Sequence, residues 1–345
     1  MNQVSGVDID RLTEWMDGEG LGAGPITNIE ALGGGTQNVL LKFERDGRRY
    51  VLRHPPLHKR GNSDETMRRE ARVLTALRGS DVPHPDVIAA CGDVDVLGAA
   101  FYLMEPIDGF NPTVGLPSPH RDSREIRHEM GLAMSDAIAA LGRVDHEAVG
   151  LSDFGKADGF LERQVPRWRA HLESYNQIPE YPGPDIPGVD KVGDWIDRNR
   201  PAQFQPGIIH GDFHLANVLF APDGPRLAAM VDWELSTIGD PLLDLGWLLC
   251  SWPETDGGDG GTASAFPWDG FPTAAELVER YRDGSSRDVD AAPWYEVLAC
   301  YKLGIILEGT HARALAGQAP KATGDMLHAS TVRLFERALR RIAAA

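Results

Sequence analysis

The stretch from Ile208 to Phe220 places polar residues able to do chemistry between two short apolar runs. Ile208-Ile209 leads in, Val218-Leu219-Phe220 leads out, and His210, Asp212 and Asn217 stand between them. A loop of that length can bring a carboxylate and a carboxamide into one small space, one as a base and one as a metal ligand. Leu227 to Val231 then reads as a strand with Asp232 at its end. Asn217 and Asp232 thus offer two oxygen donors from neighbouring loops. Such a pair suits Mg²⁺, which prefers oxygen and usually also takes waters and substrate phosphates.

The order H-x-D-x-x-x-x-N followed by a second Asp is that of the protein-kinase catalytic apparatus. Here His210-Gly211-Asp212 replaces His-Arg-Asp, and Asp232-Trp233-Glu234 replaces Asp-Phe-Gly. The H-G-D-x-x-x-x-N form, with the stretch Asp232 to Gly246 (DWELSTIGDPLLDLG), resembles the aminoglycoside phosphotransferase family. Within it, the chain resembles the kinase-like domains related to those fused to acyl-CoA dehydrogenases.

That resemblance implies an α+β, bilobal protein-kinase-like fold. Residues 1–105 would form a small antiparallel β-sheet lobe with one helix C, and residues 106–345 a larger, mainly helical lobe. It also implies in-line transfer of the γ-phosphoryl group of ATP to a hydroxyl of a small molecule. Asp212 would accept or orient the acceptor's proton, and Asn217 and Asp232 would hold Mg²⁺. His210, Asp240 and Asp244 read as structural: a loop-packing imidazole, a helix cap and a buried anchor for the catalytic loop.

The elements that must position these residues can be read in turn. Residues 8 to 18 form a short amphipathic helix with Asp8 as its cap. Ile26 to Leu32 and Val39 to Phe43 read as strands around Gly33-Gly34-Gly35-Thr36-Gln37-Asn38. Glycines there let backbone N–H groups approach phosphate, so Gly34, Gly35, Thr36 and Asn38 are nucleotide-binding candidates. A plain hairpin remains the alternative. The third strand, Arg49 to Arg53, carries Arg53 where kinases place a phosphate-contacting Lys, a cation with different geometry. Asp64 to Leu77 reads as helix C, and Glu70 is its candidate partner for Arg53; an exposed pairing with Arg68, Arg69 or Arg72 is the alternative. Val87 to Cys91 and Ala99 to Met104 read as two more strands joined by an acidic turn. The segment after them breaks the pattern, and the resemblance makes it the hinge whose backbone, from Glu105 to Ile107, meets the adenine.

From residue 123 onward the chain reads as helical. Segments 123–143, 160–175, 189–199, 241–252, 274–281, 293–315 and 324–343 have helical patterns, with a Pro/Gly-rich loop at 178–188. Residues 253 to 271 hold five glycines, at 257, 258, 260, 261 and 270, and read as a mobile or functional loop.

Composition bounds the rest. The net charge of −17 makes nucleic acid an unsuitable partner. Of that charge −13 falls after residue 105, which serves solubility or an acidic cleft for a cationic acceptor. No apolar run approaches membrane-spanning length. The three spaced cysteines, Cys91, Cys250 and Cys300, fit free thiols in a reducing cytoplasm, where the chain is expected to reside. Two other classes compete with a kinase. One is a nucleotide-binding pseudokinase or scaffold, and the other a metallohydrolase built on the alternating His210, Asp212 and His214.

Overall fold

The computed structural model describes residues 3–33, 38–56, 61–254 and 265–345. A small hairpin, β1 (Gln3–Val4) and β2 (Val7–Asp8), precedes α1 (Ile9–Gly18). Asp8 caps α1 by accepting from the N–H groups of Asp10 and Arg11. A five-stranded antiparallel sheet follows, from β3 (Thr27–Ala31), β4 (Val39–Arg45), β5 (Arg48–His54), β6 (Val87–Cys91) and β7 (Phe101–Met104). Its order is β3-β4-β5-β7-β6. Between β5 and β6 runs α2 (Ser63–Ala76), the expected helix C.

Strand alternation decides what each face of this sheet carries. Leu41, Phe43, Leu52, Phe101 and Leu103 join Ile9, Leu12 and Met16 of α1 in one core. The neighbours that point the other way include Arg53 and Tyr102, which face each other across β5 and β7. Met67, Ala71 and Leu74 of α2 pack on that second side, in a core continuous with the helical region.

The expected strand from Ala99 is shorter than its reading. A helical turn, α3 (Val94–Leu97), occupies the acidic connection and ends at Gly98, whose φ of 80° stops it. Ala100 N–H then bonds Asp64 Oδ1 at 2.9 Å, so the chain joins the sheet only at Phe101.

The helical region contains α4 (Ser118–Asp122), α5 (Arg124–Arg143), α6 (Gln164–Ser174) and α7 (Val189–Arg198). Ser123 caps α5 through Ile126 N–H, as its position suggests. Helix α6 starts four residues later than the pattern from Phe160 implies. Pro166 lacks an N–H and is tolerated only in a first turn, which fixes the start near Gln164.

Two short antiparallel pairs then build the site. They are β8 (Gly207–Ile209) with β11 (Thr237–Gly239), and β9 (Val218–Phe220) with β10 (Leu227–Met230). After β11 comes α8 (Leu242–Ser251), buried along its whole length, then α9 (Ala274–Gly284), α10 (Ala292–Leu315) and α11 (Lys321–Ala344). Thr273 and Glu276 form a reciprocal capping box on α9. Among the described residues no helix is long and apolar enough to cross a membrane.

Gly246 lets α8 press directly onto α10. A Cβ there would lie 2.4 Å from the Tyr295 carbonyl oxygen, a backbone atom that cannot step aside. Gly246→Ala is expected to cost about 1–3 kcal/mol or more, read as a lowered denaturant midpoint with an unchanged slope.

Candidate functional site

Register brings the two predicted metal loops together. Met230 pairs with Val218 at the end of the β9–β10 ribbon, so the residues just beyond them are neighbours. Val231 N–H donates to the Asn217 carbonyl at 2.9 Å, placing Asp232 beside the turn that carries Asn217. That turn, Leu215–Asn217, is a single 3₁₀ turn capped by His214, whose Nδ1 accepts from Ala216 N–H at 3.2 Å.

Gly211 cannot be the arginine of a His-Arg-Asp sequence here. Its φ is +87°, and a Cβ would lie 2.5 Å from the Leu235 carbonyl oxygen. The main chain on either side is held by Asp244 from α8: Oδ2 accepts from His210 N–H at 2.7 Å and Oδ1 from Gly211 N–H at 2.8 Å. Asp240 accepts from Leu242 N–H and from the Tyr295 hydroxyl. His210 is fully buried. Its Nε2 lies 3.0 Å from the Val231 carbonyl, and its ring packs 4.8 Å from that of Trp233. Burial pushes the His210 imidazole below its ordinary value, which keeps it neutral.

Asp212 points into the space these loops leave. Asn217 Nδ2 donates to both its carbonyl and its Oδ2, each at 2.9 Å. His214 Nε2 lies 3.3 Å from Oδ1. Because Nδ1 of that ring is an acceptor, its proton sits on Nε2 and donates to the carboxylate. Burial alone would raise Asp212, but the hydrogen bonds from His214 and Asn217 outweigh it and hold the group below the ordinary carboxylate range. An ionised, partly exposed carboxylate is the result.

Arg53 binds the site to the sheet. Its Nη2 donates to Glu70 Oε1 at 3.1 Å and to Asp232 Oδ1 at 2.8 Å. Its Nε lies 2.7 Å from Glu70 Oε2 but off the N–H direction, so that contact is an ion pair without a hydrogen bond. Tyr102 hydroxyl donates to Glu70 Oε2 at 2.9 Å. Burial would lower Arg53, but the surrounding anions raise it above its ordinary value. Burial pushes Glu70 up, with Arg53 opposing. The buried partner is therefore Arg53 rather than any of the arginines along α2. Arg69 and Arg72 instead reach across to the Phe154 and Gly150 carbonyls and fasten α2 to the helical region.

Asp232 has a φ of 66°, which a non-glycine residue adopts rarely and which often marks a functional position. One oxygen from each of Glu70, Asp232 and Glu234 lies within 4.8 Å of the others. Asn217 spends its amide nitrogen on Asp212, which leaves its oxygen as the donor. This all-oxygen set suits Mg²⁺.

The remaining predicted residues divide. Gly34, Gly35 and Thr36 lie outside the described residues, and Asn38 sits half-buried just before β4. Glu105 corrects the hinge reading in part. Its N–H is already bonded to the Asp86 carbonyl at 2.9 Å, just before β6 begins, and its side chain pairs with Arg48. Ile107 lies two residues on, half-buried. A metal site on His210 and His214 is also corrected, because His210 faces main chain with both nitrogens and His214 faces Asp212.

Three participants were not singled out from sequence. Glu234, two residues past Asp232, is raised by burial and by Asp232 beside it. His214 was weighed only as a zinc ligand. Lys302 of α10 is buried between the rings of Trp247 (5.0 Å) and Trp168 (5.5 Å), and burial lowers its amine to about 8, with Asp244 opposing.

A two-lobed arrangement of sheet with helix C, hinge and catalytic loop defines a kinase-like phosphotransferase. Residues 28–294 match the family described as "Phosphotransferase enzyme family", and the chain belongs to it. It is 30% identical to acyl-CoA dehydrogenase family member 10 of Mus musculus over 84% of its own length and 27% of that protein's. The chain spans between 27% and 37% of the length of three such relatives. A Ralstonia eutropha crystal structure, provisionally named an aminoglycoside phosphotransferase, matches with TM-score 0.79 and 31% identity, over 97% of this chain and 99% of that one. An aminoglycoside phosphotransferase variant crystallised with ADP and hygromycin B shares the fold at TM-score 0.58 and 14% identity, over 95% and 97%.

Burial raises Asp244 to about 7 despite its two N–H donors. The folded chain then keeps a proton that the unfolded chain releases near 3.9. Through this group stability falls as pH rises from about 4 to about 7, and is flat outside that window. Asp244→Asn removes that slope. It also turns an amide NH₂ against one of the two N–H groups, costing about 1–3 kcal/mol. Urea titrations of both proteins across that pH range check both effects.

Proposed function

We propose that this chain transfers the γ-phosphate of ATP, with Mg²⁺, to a hydroxyl of a small molecule. The observation that carries the reading is the Asp212 carboxylate, held ionised by His214 and Asn217, while the Asn217 oxygen and Asp232 stand beside it as metal donors. Mg²⁺ held by Asn217 and Asp232, with Glu234 or Glu70 near, would offset charge developing on the phosphates.

The chain's own groups supply the rest. Asp212 accepts the hydrogen bond of the acceptor hydroxyl, orients its oxygen for in-line attack, and takes the proton as the bond to phosphorus forms. Arg53, fixed by Glu70, keeps a positive charge on the phosphate side of the cleft. The Glu105 carbonyl and the Ile107 N–H are the hinge groups left to meet an adenine, with Asn38 and the glycine turn before it as the candidate phosphate cover. The acceptor is any alcohol that reaches Asp212. The R. eutropha chain's name points to an aminoglycoside acceptor, whereas the mouse relative's name describes a dehydrogenase and names no phosphoryl acceptor.

The test is ADP release with Mg-ATP against a panel of aminoglycosides and hydroxyl-bearing metabolites. At least one acceptor should stimulate release. Asp212→Ala should lower that turnover by about 10²-fold or more, the scale of a lost general base, with ATP affinity within a few-fold of the parent. Unchanged turnover in this variant would remove Asp212 from the mechanism. Binding of ATP without release for any acceptor would favour a nucleotide-binding scaffold.

A further inference from the structure

Away from the phosphotransfer loops, α10 and α11 bring two imidazoles and a carboxylate together. Glu308 and His311 are three residues apart on α10 and share a face, and His328 comes from α11. Glu308 is completely buried. Its Oε1 accepts from the Tyr181 hydroxyl at 2.8 Å, and its Oε2 lies 2.7 Å from His328 Nδ1. The His311 and His328 rings stack with centroids 4.5 Å apart. His311 Nδ1 is buried and has no hydrogen-bond partner among the described residues; the nearest acid, Asp325, is 4.0 Å away.

We propose that Glu308, His311 and His328 form a binding site for a borderline divalent transition ion of the Zn²⁺ class. One donor atom from each lies within 4.8 Å of the other two. Tetrahedral Zn²⁺ with bonds of about 2.0–2.1 Å needs donors about 3.3–3.4 Å apart, so the 2.7 Å Glu308–His328 contact opens and His311 adjusts to it, both by side-chain rotation. Two imidazoles with one carboxylate is an established zinc donor set and a poor one for Mg²⁺. Half-exposed Asp325, or water, would complete the shell. Tyr181 would then orient the Glu308 ligand from outside it.

The consequence is mechanical. Ion binding clips α10 to α11 and, through Tyr181, fixes the 178–188 loop against them. This inference stands apart from the phosphotransferase reading, since it uses none of those residues.

The test titrates this chelator-stripped chain with ZnCl₂ by calorimetry and follows thermal unfolding. The expected result is one saturable site per chain and a raised midpoint. His311→Ala combined with His328→Ala should weaken binding by about 100-fold or more, since even outer partners of a metal site are worth 10- to 100-fold. Asp232→Asn should leave the site intact. If the double variant misfolds, Glu308→Gln keeps a partner for Tyr181 and should show the same loss. Excess Mg²⁺ should not displace the ion. Absence of a saturable site, an unchanged site in the histidine variant, or its loss in Asp232→Asn would overturn the proposal.

Discussion

One buried carboxylate sets the geometry of the catalytic loop. Asp244 reaches from α8 to the N–H groups of His210 and Gly211, fixing the main chain immediately before Asp212. A loop carries donors that no helix or strand satisfies, and buried donors must be paired. Asp244 pairs two of them with one rigid side chain. Its own helix is anchored by close backbone contact with α10, made possible by Gly246. The position of Asp212 thus derives from helix packing, and the local sequence only permits it. Gly211 is the permission: its left-handed φ and the adjacent Leu235 carbonyl exclude a side chain.

The second organising element is charge. Arg53 is buried and shared between Glu70 and Asp232, so the sheet, α2 and the loop that carries Asp232 meet at one guanidinium. Removing one partner of a buried pair costs far more than the pair contributes, about 3–5 kcal/mol, so these groups stand or fall together. Lys302 plays a parallel part in the helical lobe, as a buried amine held over two indole faces near Asp244. The protein is strongly acidic, yet a buried arginine stands at the centre of the candidate site.

The convergence of the candidate-site residues was legible because their spacing is local. Asp212 and Asn217 share one turn, and Asp232 follows a short strand that had to pair with the one before it. Arg53 and Glu70 were legible through the family resemblance, which places a cation on the third strand and its glutamate partner on helix C. Other features depend on contacts distant in sequence and were not. Nothing near Lys302 indicates that Trp168 and Trp247 would enclose it, and Glu308 gives no hint of His328 until α10 and α11 cross. The hinge was read as backbone from Glu105 to Ile107, and that the Glu105 N–H is taken by the Asp86 carbonyl, in the turn before β6, depends on a contact distant in sequence. The late start of α6 shows local chemistry overruling periodicity, since Pro166 limits where that helix can begin.

The central claim is that Asn217 and Asp232, from two successive loops, hold one ion against the nucleotide phosphates. Calorimetric titration of ATP into the parent chain and into Asp232→Asn, each with and without Mg²⁺, addresses it directly. The account requires that Mg²⁺ tighten ATP binding to the parent and that this gain largely vanish in the variant. An equal gain in both proteins would show that the ion is held elsewhere.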